Sequence, residues 1–127
     1  MSHFVTIKTE ILDPEILKKT LLDLGFEMRE DSTIAGHQGQ RESVDLAVQI
    51  DSGFRMGFKK NENKGSYEIT GVAEFIRQPR TQRFIKMIRQ EYAYRKVLAE
   101  TRRKGFSLVH EDRIKPGVIK LVLRKVA

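Results

Sequence analysis

Apolar and polar residues alternate from the start of the chain: Val5, Ile7, Thr9 and Ile11 fall on one side, Phe4, Thr6, Lys8 and Glu10 on the other. A period of two, rich in β-branched residues, predicts a strand over 3–11. Asp13-Pro14-Glu15 then supplies an N-cap, a proline suited to the first helical position and an acid in the first turn. Leu17, Leu21 and Leu24 recur at helical spacing and Gly25 is a good stop, so a helix is predicted between them. Phe26 to Arg29 reads as extended, Thr33-Ile34 as a second extended piece, and Gly36 to Gln40 as a turn.

Alternation returns at Val44, Leu46, Val48 and Ile50, and after Asp51-Ser52-Gly53 it resumes with Phe54, Met56 and Phe58, which is the pattern of a hairpin. Beyond a polar turn from Lys60 to Gly65, Tyr67 to Val72 reads as a third strand of an antiparallel meander. Pro79 marks a boundary. From about Thr81 the period becomes helical, with Phe84, Ile85, Ile88, Tyr92 and Leu98-Ala99 forming the stripe of a long helix that ends at Gly105. Phe106, Leu108 and His110 on one side of Lys115-Pro116-Gly117, and Ile119, Leu121 and Leu123 on the other, predict a closing hairpin.

The predicted order is β-α-β-(β-β-β)-α-β-β, an α+β fold in a single domain over residues 1–127. Each strand shows one apolar and one polar side, so the two helices should cover one face of a mainly antiparallel sheet. Leu24-Gly25-Phe26 and Lys104-Gly105-Phe106 echo each other at a helix end and strand start. Helix-stop chemistry alone would put Gly-Phe in both places; the alternative is a duplication of two similar α-to-β units.

Composition narrows the function classes. With 127 residues, 39% of them hydrophobic and 32% charged, the chain suits one soluble domain with its own core. It has no Cys, which excludes disulfides, thiolate zinc sites, iron–sulfur ligation and a Cys nucleophile. No apolar run approaches the ~20 residues of a membrane span, and no signal-peptide pattern opens the chain, so a cytoplasmic protein is expected. The net charge of +7 is unevenly spread: residues 1–76 sum to −4, residues 77–104 to +8 and residues 105–127 to +3. A polarised basic segment suits an anionic partner, either nucleic acid or an acidic protein surface.

The long helix supplies the candidate site for such a partner: Arg83, Lys86, Arg89, Tyr94, Arg95, Lys96, Arg102 and Arg103. Arg89, Lys96 and Arg103 recur every seven residues and share a helix face beside or opposite the apolar stripe. Tyr94 would stack on an unpaired base or cap the edge of the core, and Tyr92 is expected inside it. No zinc finger, zipper or RNP-type pattern is present, which favours RNA slightly over duplex DNA. Other chemistry lacks a frame. His3, His37 and His110 show no metal-ligand spacing, the pairs Glu30-Asp31 and Glu111-Asp112 point to opposite faces if extended, and neither a phosphate loop nor a serine elbow occurs. No catalytic residue, metal or cofactor is therefore assigned.

The opening Met1-Ser2-His3-Phe4-Val5-Thr6-Ile7-Lys8-Thr9 resembles the hypothetical chloroplast open reading frame thirty-five family of cyanobacteria, algal plastids and some other bacteria. The likeness continues through Leu24-Gly25-Phe26, the Gly36 to Gly39 loop and Gly57-Phe58-Lys59-Lys60. It extends to Gln90-Glu91-Tyr92-Ala93-Tyr94, Lys96-Val97-Leu98, Gly105-Phe106 and Ile119-Lys120-Leu121-Val122-Leu123-Arg124. One departure is Ala73-Glu74-Phe75-Ile76-Arg77, where the family pattern carries tryptophan and this chain has none. The segment leading into the long helix is expected to behave differently here. The resemblance implies a small soluble protein of unknown function, in the stroma if plastid-encoded, with no catalytic residues to transfer.

Two function classes follow from the sequence: a non-enzymatic module that places the basic helix on an anionic partner, and an accessory subunit or adaptor of a protein assembly. A flat basic face favours the first and an apolar patch beside the basic helix favours the second. A pocket gathering two histidines with an acid would instead indicate an enzyme.

Overall fold

The computed structural model describes residues 3–51, 54–115 and 118–126, the side chains of His37 and Asp51 excepted. The turns expected at Ser52-Gly53 and Pro116-Gly117 lie outside the described residues. In chain order the elements are β1 (Phe4–Lys8), α1 (Pro14–Asp23), β2 (Glu27–Ala35), β3 (Arg41–Asp51), β4 (Phe54–Lys60), β5 (Tyr67–Val72), α2 (Ala73–Ile76), α3 (Pro79–Arg103), β6 (Phe106–Lys115) and β7 (Val118–Lys125). The α+β order read from the sequence holds, with the four-residue α2 added between the meander and the long helix.

Local chemistry explains the boundaries. The Asp13 carboxylate accepts the Glu15 and Ile16 amides at 3.0 and 3.2 Å, and Pro14 starts α1. Gly25 and Gly105, each at φ 87°, end α1 and α3 and turn the chain into β2 and β6. Residues 27–35 form one strand rather than two short pieces, bent at Asp31, whose φ of 47° is tolerated because Asp is among the few non-glycine residues that enter the left-handed region.

Five antiparallel strands pair in the order β1-β5-β4-β3-β2. Leu46, Val48, Met56, Phe58 and Ile69 send their side chains to one face, where Leu17 and Leu21 of α1, Phe75 and Ile76 of α2, and Ile85, Ile88 and Tyr92 of α3 close the core. The opposite face carries a small second cluster of Ile34, Val44 and Ala47 under Phe4. Val44 lies so close to Gly57 that a Cβ there would fall 2.3 Å from Val44 Cγ1, so only glycine fits at that position of β4.

Strands β6 and β7 form a separate two-stranded sheet beside the second half of α3. The buried residues of α3 are Thr81, Ile85, Ile88 and Tyr92, so nothing beyond Tyr92 enters the core. No residue of β6 or β7 is fully buried either. One end of the molecule is therefore a helix and a hairpin that cover each other only in part.

Candidate docking surface on the long helix and closing hairpin

The cations of α3 divide into two groups. Three serve as internal or local struts. Arg89 donates to the Glu10 carboxylate at 3.0 Å, which holds Glu10 below the usual carboxylate range. Arg95 donates to Asp23 in the last turn of α1, where the helix dipole disfavours a carboxylate, so the guanidinium offsets that cost. Lys96 lies 3.4 Å from Glu100, one helical turn on. Arg89, Lys96 and Arg103 share a face by spacing, but only Arg89 lies beside the buried part of α3, where it meets an acid from the loop before α1. Arg83, Lys86, Arg102 and Arg103 pair with no carboxylate among the described residues. Arg83 and Lys86 point outward, and with Gln82, Ile85 and Arg89 they line a shallow depression of about 310 Å³.

Tyr94 is held between helix and hairpin. The Arg113 guanidinium of β6 lies 5.2 Å from the centre of its ring, and burial together with the neighbouring Glu111 carboxylate pushes the Tyr94 hydroxyl above the usual phenol range. One ring face is thus already occupied, which reduces its use as a stacking platform. Tyr92 is inside the core, 5% exposed.

Arg113 does more than cover Tyr94. It donates to Glu91 Oε1 at 2.6 Å and lies 3.4 Å from Glu111 Oε1, an ionic contact without hydrogen-bond geometry, and Glu91 in turn raises the ionisation of the guanidinium. One arginine therefore clamps the hairpin to α3. Because its side chain is half exposed, we expect Arg113→Ala to cost only about 1 kcal/mol of global stability. Hydrogen exchange should nevertheless accelerate across β6 and β7 while the five-stranded sheet keeps its protection. Uniform loss of protection in both sheets would show that the hairpin is not a separately held unit.

The remaining feature is apolar. Lys86, Gln90, Ala93 and Val97 follow at helical spacing along the outer face of α3, and Ile119 and Leu121 of β7 overhang the same line. Gln90, Ala93, Tyr94, Val97, Ile119 and Leu121 enclose an open groove of about 270 Å³. Val97 is 42% exposed and Val122, on the other side of the hairpin, 41%. Of the site residues read from the sequence only Tyr94 lines this groove; its apolar members Ala93, Val97, Ile119 and Leu121 are not among them. Its signal was the near-continuous apolar run of β7, in which Val118 and Val122 interrupt the expected polar side.

No other chemistry gathers. His110 is exposed and lies 3.3 Å from Asp112 on the hairpin, while His3 precedes β1 in the main sheet. Glu30 is paired with Lys18 at 2.6 Å. Among the described residues no group of three or more His, Cys, Asp or Glu side chains is placed to hold a metal ion. Among the described residues no helix is long and apolar enough to cross a membrane.

Residues 20–122, which include all of α3, β6 and most of β7, match the family described as "Protein of unknown function (DUF1257)". The chain belongs to that family. It is 33% identical over 127 residues to "Uncharacterized protein ycf35" of Cyanophora paradoxa, with 98% of each chain covered. Proteins of the same description from Pyropia yezoensis and Guillardia theta are 32% and 30% identical, again over 98% of each chain. The resemblance read from the opening motif and its ordered successors thus extends over nearly the whole length. No solved structure matches the chain.

Proposed function

We propose that this DUF1257 protein is a non-enzymatic accessory subunit or adaptor that binds an acidic protein surface on the outer face of α3 and the closing hairpin. One observation carries the reading: an uncovered apolar groove lies beside outward cations that pair with no carboxylate among the described residues. An apolar centre with a charged rim is the anatomy of a protein interface. The cations select an acidic partner and steer its approach, so association should weaken as salt rises. A nucleic acid would use Arg83, Lys86, Arg102 and Arg103 and leave the apolar groove without an occupant. The reading puts this work in the cytoplasm, or in the stroma where the gene is plastid-borne, and likeness to the ycf35 proteins supports it.

A photo-crosslinking side chain at Val97, compared with one at exposed Glu62 between β4 and β5, tests the reading in the cells of origin. The expected result is a protein adduct from Val97 that maps to an acidic segment and is absent from Glu62. Adducts from Val97 that are mainly nucleic acid, or equal adducts from both positions, would overturn it.

A further inference from the structure

We infer that the partner engages this surface by strand addition: an extended segment of alternating acidic and apolar residues pairs with the free edge of β7. This inference rests on the adaptor reading and specifies how the same surface binds.

Among the described residues β7 is hydrogen-bonded to β6 alone, so every second residue along its other edge directs an unpaired N–H and C=O outward. An isolated two-stranded sheet is marginal in water and is completed by a helix or by a third strand; here α3 covers the hairpin only in part. The pleat sets what that strand must carry. Ile119, Leu121 and Leu123 face α3 and are partly covered, whereas Lys120, Val122 and Arg124 face away and are exposed. The groove below Ile119 and Leu121, floored by Ala93 and Val97, is the space that the inward side chains of the next strand would fill. Those side chains should be apolar. On the outward side the neighbours are Lys120 and Arg124, so the alternate positions should be acidic. On the β6 flank Lys120 already faces Asp112, which shows the pairing the free flank lacks.

A second copy of β7 is a poor occupant. The strand holds Lys120, Arg124 and Lys125 and no acid, so self-pairing would double an uncompensated row of cations. An acidic strand removes that repulsion, and Lys86, one helical turn before Gln90 of the groove, adds to the attraction. Main-chain bonds would supply the affinity and the alternating side chains the selectivity.

The test uses the full-length protein and a ten-residue peptide alternating glutamate and valine, in three forms: unmodified, N-methylated at every odd residue, and N-methylated at every even residue. Each methylated form blocks one edge of the peptide strand. Strand addition predicts that the unmodified peptide binds, that one methylated form retains binding and that the other loses it. Hydrogen exchange should slow at alternate amides of β7. Lys120→Glu combined with Arg124→Glu, both on the exposed face, should weaken binding roughly tenfold. Retention or loss of binding by both methylated forms alike would overturn strand addition and leave groove docking through side chains. No binding by the unmodified peptide would overturn it outright, while the crosslink from Val97 separately decides whether an acidic protein occupies the face at all.

Discussion

Phe58→Ala will lower the unfolding free energy by about 3–5 kcal/mol, the range for emptying a buried phenylalanine site. Phe58 is 0% exposed on β4, the middle strand of five, and packs in the core between the sheet and the helices. Its neighbours are held in strands on both sides, at Leu46 of β3 and Ile69 of β5, so the site has little freedom to collapse. Phe54, on the same strand, provides the contrast. It is 43% exposed and stacks on Phe75 with ring centres 4.5 Å apart, so Phe54→Ala should cost about 1 kcal/mol. Urea unfolding of both variants checks the pair. Equal losses would mean that the core is not centred on β4.

The contrast between those two residues marks where sequence reading works. Alternation identified β3, β4 and β5, and the Asp13-Pro14-Glu15 start and Gly25 stop bounded α1, because each signal is local and physical. Segments without such a signal were read less well. β2 is polar through Glu30, Asp31 and Ser32, so it offered no period, and its bend at Asp31 became visible only in the backbone. The four residues of α2 are too few to establish a helical period, yet Phe75 and Ile76 seat it in the core.

The site shows the same division. That α3 is basic is plain in the sequence. Which of its cations face outward without a partner depends on acids far away in the chain, such as Glu10 for Arg89 and Asp23 for Arg95. The row at seven-residue spacing is therefore partly a set of struts, and the outward pair is Arg83 and Lys86. The groove needed the fold as well, because Val97 and Leu121 meet only when the hairpin turns back over α3.

Tyr92→Phe will cost about 2–4 kcal/mol although it removes a single oxygen. The hydroxyl of Tyr92 accepts the backbone N–H groups of Leu12 and Asp13 at 3.0 and 2.9 Å, at the point where the chain enters α1. Phenylalanine leaves both partly buried donors without an acceptor, and each unsatisfied donor costs about 1–3 kcal/mol. The amides of Leu12 and Asp13 should exchange faster, and α1 should fray from its first turn because its cap sits on this loop. Tyr94→Phe, which touches only the helix–hairpin junction, should leave those amides unchanged. The effect should also reach the docking surface. Tyr92 is the last buried residue of α3, so the half of the helix that carries Ala93 and Val97 is anchored to the core through it. A looser anchor adds an ordering cost to binding, and the alternating acidic peptide should bind Tyr92→Phe more weakly than the parent protein even though no groove residue has changed. Unchanged affinity beside the expected loss of stability would show that Arg113 and Glu91 hold that half of the helix and the hairpin as a unit independent of the core.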